Sequence, residues 1–172
     1  MNIQRTSRTV LLSLVLALLS LMQTRAAVML SGRAYAFSMP AEWRYASESV
    51  AVLMQQRTGV KLTLAHADSA MLKIVHDAAL GSEAYTLQIA DHDIVVRAGS
   101  VKGVNWAMAQ LAQLLSAAGG KPLSPATING SPRFEHRGLM IDCSRHFRTI
   151  AELESMIDAM NLLRLNVLHL HL

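Results

Sequence analysis

Two histidines one residue apart near the end of the chain, His169 and His171, are the first side chains whose type and spacing suggest chemistry. Alternate residues of a strand share a face, so Val167, His169 and His171 point one way and Leu168, Leu170 and Leu172 the other. At the carboxyl end of a strand in a parallel α/β sheet or barrel, such a face borders the active site. A His-x-His pair there can open a divalent-metal site in a hydrolase. It then needs a further ligand, for which Asp142 and His146 are the candidates. The pair can also be polar barrel residues bonded to neighbouring carboxylates, which is the reading preferred here, and no metal or cofactor is assigned.

A second group lies about 25 residues earlier, in Asp142-Cys143-Ser144-Arg145-His146. Arg145 or His146 can hold a polar substrate, or either can pair with Asp142 and shape the loop. Asp142 stands alone, without the second carboxylate that most glycosidases use for acid and base work. Cys143 is the sole cysteine, so no intramolecular disulfide forms. Beside an apolar strand it reads as a small hydrophobe rather than a nucleophile.

These groups need elements to position them. Arg137 to Asp142 is a mostly apolar run of strand length. Thr149-Ile150-Ala151-Glu152 is a capping box, and Leu153, Met156, Ile157, Met160 and Leu163 give the helix after it one buried stripe. Val167 to Leu172 is the next strand. Strand, helix and strand in this order make a βαβ unit with parallel strands. Parallel sheets are buried on both faces, so two strands call for more, and the expectation is that the chain is the front of a longer α/β protein.

The first half reads as a separate α+β unit. Ala34 to Ser38 alternates before Pro40 and suggests an edge strand or extended arm. A helix capped by Ser47 or Ser49 carries Val50, Leu53 and Met54 and ends before Gly59. Val60 to Leu64 and Met71 to Val75 are strands. Tyr85, Leu87 and Ile89 alternate up to Asp91-His92-Asp93, which turns the chain into Ile94 to Arg97, an antiparallel hairpin. Ser100 caps a second helix with Val104, Ala107, Met108, Leu111, Leu114 and Leu115 on one side, closed by Gly119-Gly120. The expected unit spans 27–120 and is an antiparallel sheet with two helices on one face. Residues 121–132 read as a linker, with Asn129-Gly130 as a turn, and 133–172 as the start of a barrel.

Hydrophobic residues make up 52% of the 172, concentrated in the first thirty. Residues 1–26 read as a secretory signal: Arg5 and Arg8, the apolar run Val10 to Met22, then Thr24-Arg25-Ala26. The run is shorter than the ~20 residues of a bilayer span, so no membrane span is expected after cleavage. Removing residues 1–26 leaves 13 basic against 12 acidic residues. Arg133, Arg137, Arg145 and Arg148 are interleaved with Glu135 and Asp142, which argues against nucleic acid as a partner.

Three separated blocks resemble one family in order and spacing: Pro132 to Asp142 (PRFEHRGLMID), Ser144 to Phe147 (SRHF), and Asn166 to Leu172 (NVLHLHL). They resemble the start of the catalytic barrel of family 20 glycoside hydrolases, the β-N-acetylhexosaminidases, and the first half resembles the small α+β domain preceding that barrel. The resemblance implies the first βαβ of a (β/α)8 TIM barrel and a β-N-acetylhexosaminidase, and the signal-like residues 1–26 an exported, periplasmic or secreted protein. Its substrate would be an oligosaccharide or glycoconjugate ending in N-acetylhexosamine. It also implies that Arg137 binds hydroxyls of that terminal sugar, a task suited to a planar charged fork. Asp142, His146, His169 and His171 would line the site.

The family mechanism is substrate-assisted and retaining, with the 2-acetamido oxygen as nucleophile and an Asp-Glu pair as orienting group and acid. No Asp-Glu dipeptide occurs in the 172 residues, so no catalytic residue is named and the chain alone is expected to be inactive. Leu170 stands where family members often carry tryptophan, and the acidic run that follows the second histidine in the family lies past Leu172. Two other readings use the same residues: a metal-dependent barrel hydrolase with a His-x-His site, and a non-enzymatic periplasmic binding or scaffold module.

Overall fold

The computed structural model describes residues 32–172, so the expected signal at 1–26 lies outside the described residues. The first strand, β1 (Ala34–Ser38), leads through a 3-10 helix (Ala41–Ala46) into α1 (Ser47–Thr58). Gly59 ends α1 with φ 71°, its N–H donating to the Gln55 carbonyl, and so closes the helix in a left-handed cap. Strands β2 (Lys61–Leu64), β3 (Leu72–His76), β4 (Tyr85–Ile89) and β5 (Ile94–Ala98) follow. Helix α2 (Val101–Ala118) begins at Ser100, whose hydroxyl accepts from the Lys102 N–H, and ends at left-handed Gly119.

The sheet is mixed, with order β2-β1-β3-β5-β4-β6, where β6 is Ala126–Gly130. The expected β4–β5 hairpin is present, with Ile89 opposite Ile94. The expectation of an antiparallel sheet is corrected, because β1 runs parallel to both β2 and β3, and β3 parallel to β5. Pro40 lies beyond the end of β1, so the ladder is free on both sides and this strand sits inside the sheet rather than at its edge. The 121–132 stretch is not simply a linker, since β6 pairs antiparallel with β4 from Ala126↔Ile89 to Gly130↔Tyr85. Asn129 is therefore a strand residue rather than part of a turn, its side-chain oxygen accepting from the Thr86 hydroxyl at 2.9 Å. As an edge strand carrying a single large aliphatic residue, Ile128, β6 has almost no sequence pattern to announce it.

The alternation of β3, β4 and β5 places Leu72, Ile74, Tyr85, Leu87, Ile89, Ile94, Val96 and Ala98 on one buried face. With Val50 and Met54 of α1 and Val104, Met108, Leu111 and Leu115 of α2 they form one continuous core. Fully burying each large aliphatic of this set contributes about 2 kcal/mol. Beyond it, β7 (Gly138–Asp142), α3 (Ile150–Leu162) and β8 (Val167–His171) form the expected βαβ unit. Strands β7 and β8 pair in parallel from Gly138↔Val167 to Asp142↔His171. The capping box on α3 is complete: the Thr149 hydroxyl accepts from the Glu152 N–H, and the Glu152 carboxylate accepts from the Thr149 N–H at 2.8 Å.

Candidate functional site

The register of β7 and β8 decides which residues meet. Met140 lies beside His169 and Asp142 beside His171, so the polar residues gather at the carboxyl ends of the two strands. Asp142 Oδ1 is 3.2 Å from His171 Nδ1 and accepts the Arg145 backbone N–H at 3.0 Å, while Oδ2 accepts from Arg145 Nε. The turn after β7 is folded onto β8 as well, the N–H groups of Cys143 and Ser144 donating to the His171 carbonyl at 2.9 and 3.2 Å.

The backbone N–H of Arg145, then His171 and the Arg145 guanidinium, hold the Asp142 carboxyl below the usual carboxylate range. Asp142 is therefore an ionised anchor at neutral pH, not a proton donor. Arg145 is 75% exposed, with one edge on Asp142. Its remaining N–H groups are directed at solvent, in a fork able to meet two hydroxyls at once.

His146 lies at the same end, lining a hollow of about 310 Å³ with Leu139 to Asp142, Arg148 and Met156. His169 is two pairs further down, exposed, on a groove of about 640 Å³ with Met140, Gly138 and Val167. Among the described residues no group of three or more His, Cys, Asp or Glu side chains is arranged to hold a metal ion.

Arg137 is elsewhere. It precedes β7, so its Cα is roughly 16 Å from that of Asp142 at ~3.3 Å per strand residue. Each of its side-chain nitrogens is engaged: Nε donates to the Arg164 carbonyl at 2.7 Å, Nη1 to the Phe134 carbonyl at 2.6 Å, and Nη2 to the Glu83 carboxylate. The guanidinium also lies over the Trp106 ring, 5.8 Å from its centroid. Only 15% of the Arg137 side chain and 12% of that of Glu83 are exposed. The structure thus brings Asp142, Arg145, His146 and His171 together and leaves Arg137 at the opposite end, in the junction with the small domain. Glu83 carries no signal in the sequence, being 54 residues from the arginine it serves.

A small mixed-sheet domain precedes a parallel βαβ unit whose polar cluster lies at the carboxyl ends of its strands, the end at which parallel α/β enzymes place their sites. The model of glycosyl hydrolase family 20, domain 2, matches residues 20–130, and that of the family's catalytic domain matches 134–172. The chain belongs to glycosyl hydrolase family 20. It is 39% identical over 103 residues to a β-N-acetylhexosaminidase of Cellulomonas fimi, covering 59% of this chain and 21% of that enzyme. With the mouse β-hexosaminidase subunit beta it shares 36% over 92 residues, 52% of this chain and 17% of that one.

Among solved structures, the Vibrio harveyi exo-β-N-acetylglucosaminidase in complex with N-acetylglucosamine matches with a TM-score of 0.69 at 25% identity. That match covers 83% of this chain and 22% of the other. The Streptomyces plicatus N-acetyl-β-hexosaminidase matches at 0.70 and 26%, over 86% and 34%. The chain spans about a fifth of the length of the curated relatives it matches. No helix among the described residues is long and apolar enough to cross a membrane.

Proposed function

We propose that these residues are the front of an exported β-N-acetylhexosaminidase that removes terminal N-acetylhexosamine from oligosaccharides or glycoconjugates by a substrate-assisted, retaining route. Export rests on the signal-like residues 1–26. The single observation that carries the site is the Asp142–Arg145–His171 cluster at the carboxyl ends of two parallel strands, where barrel enzymes bind substrate. Asp142, kept ionised, aims the Arg145 fork, and that fork takes a pair of sugar hydroxyls. The role that family resemblance gives to Arg137 fits Arg145 better, because Arg137 is largely buried with each guanidinium nitrogen bonded to a protein partner, while Arg145 is exposed. The acid that protonates the leaving group needs a raised pKa, and Asp142, held below the usual carboxylate range, does not supply it.

The test is hydrolysis of a chromogenic N-acetylglucosaminide. The 172-residue chain is expected to release no chromophore, and a longer protein carrying it to release it readily. In the longer protein, Arg145→Ala lowers kcat/KM by ~10²-fold with the melting temperature unchanged, the scale of a lost charged substrate contact. Arg137→Ala instead lowers the melting temperature. The opposite pattern, an unchanged melting temperature and a selective loss of kcat/KM in Arg137→Ala, would return the sugar-binding role to Arg137.

A further inference from the structure

Glu83 lies in the small domain, before β4, yet its carboxylate reaches the starts of both barrel strands. One oxygen takes the Arg137 guanidinium, from the residue before β7, and the Trp106 indole N–H at 3.3 Å. The other takes the Asn166 side-chain amide, from the residue before β8, at 3.1 Å. Asn166 closes the loop: its side-chain oxygen accepts the Arg137 N–H at 3.0 Å, its side-chain amide also donates to the Glu135 carbonyl at 2.7 Å, and its own N–H donates to the Arg137 carbonyl at 2.8 Å. One carboxylate therefore ties the foot of β7 to the foot of β8 and both to the small domain.

Register follows from this tie. A parallel pair has no turn of its own to set the pairing, since its strands are joined through a helix. A slip of one residue would exchange the two faces of a strand and move every side chain by one position. Between the tied feet and the polar cluster there are five ladder pairs, Gly138↔Val167 to Asp142↔His171. Fixing Arg137 beside Asn166 thus fixes Asp142 beside His171 at the other end.

The surroundings favour a tie that holds. Burial pushes the Glu83 carboxyl up, but the Asn166 amide, the Arg137 guanidinium and the Trp106 N–H outweigh it and leave the group below its ordinary value, hence ionised. Trp106 is itself buried in α2, so the carboxylate is aimed from a rigid wall rather than from a free loop.

We propose that Glu83 is a positioning residue for the substrate end of the barrel: through Arg137 and Asn166 the small domain sets the register that pairs Asp142 with His171. This rests on the functional reading above only in calling that end the substrate end. The geometric part is tested without any hydrolysis.

In the 172-residue chain, Glu83→Ala is expected to speed amide exchange at Cys143 and Ser144, which donate to His171, by about tenfold. Exchange in β3 and β5 stays within about twofold of the parent. The Asp142 carboxyl titration, followed by carbon NMR, moves up toward the ordinary aspartate value, and Glu83→Gln recovers part of both effects because it still accepts from Asn166. Unchanged exchange and titration in Glu83→Ala would overturn the proposal, and so would an equal rise across the small domain, which would make Glu83 merely structural. In the longer enzyme the same variant lowers kcat with little change in KM. If the longer protein hydrolyses no N-acetylglucosaminide at all, the functional reading fails and the amide and titration results still decide the positioning role.

Discussion

The two halves of the described chain are held by different forces. In the small domain Phe37, Leu72, Leu87, Ile94, Met108, Leu111 and Leu115 are fully buried in one core. In the βαβ unit Ile141 and Met160 are buried, while Phe147 and Leu172 are 85% and 87% exposed and Met140, Ile150 and Leu163 are exposed too. The first half is a finished hydrophobic object. The second is attached to it largely by polar ties: Glu83 to Arg137 and Asn166, Gln113 to the Leu162 carbonyl at 2.8 Å, and Arg57 to Asp158 at 3.3 Å. Burial stabilises in proportion to area and needs no particular geometry, whereas ties of this kind work only if each donor and acceptor is in place.

The largest expected effect comes from cutting the core. Leu87→Ala in β4 removes a fully buried side chain and is expected to cost about 3 kcal/mol, read as a lower urea midpoint of the main unfolding transition. The same truncation at Leu163, which is 69% exposed, is expected to change that midpoint by less than ~0.5 kcal/mol. Equal losses at the two positions would break the contrast between the halves.

Next in size is the clamp. Arg137→Ala leaves the Glu83 carboxylate half-enclosed without its cation, an expected loss of about 2–3 kcal/mol in the docking of the second half. Limited proteolysis should then cut within 133–172 while the small domain keeps its transition. Lysine is not expected to rescue, because a single ammonium cannot serve the Glu83 carboxylate and the carbonyls of Arg164 and Phe134 from one rigid fork.

Acid should weaken the same clamp more gently. The folded-state pKa of Glu83 is depressed, so its contribution is fully present above the unfolded glutamate value of about 4.3 and is lost as pH falls through the lowered value. Proteolytic release of 133–172 is expected to rise below about pH 4. Glu83→Gln, released more readily at neutral pH, should show no such dependence from this position. A parent chain whose release is flat between pH 7 and 3 would show that Glu83 does not hold the junction.

What could be read from the sequence divides along the same physical line. The β4–β5 hairpin, the caps of α2 and the capping box of α3 are local, set by residues within a few positions of one another, and each is present as expected. The parallel joins of β1 with β2 and β3, and of β3 with β5, connect distant segments and left no local mark. The site divides likewise. Asp142 with Arg145 is a contact three residues long and was open to inspection, as was the shared face of His169 and His171. Glu83 meets Asn166 across 83 residues, and nothing near Glu83 hints at it. Arg137 lay in a conspicuous motif, but its contacts with Phe134, Arg164 and Glu83, the last 54 residues away, carry no mark in that motif.

The smallest effect sharpens the contrast most. Thr149 satisfies a free N–H at the start of α3 and takes part in a reciprocal box with Glu152, so Thr149→Ala is expected to cost that helix about 1 kcal/mol. Helix α3 does not belong to the core that governs the main transition, so the loss should not appear as a shift in the main urea midpoint. It should appear as amide exchange several-fold faster within 150–162, with β3 to β5 unchanged. If Thr149→Ala instead lowered the main midpoint by the full amount, the two halves would unfold as one cooperative unit, and the polar clamp would couple them as tightly as a shared core.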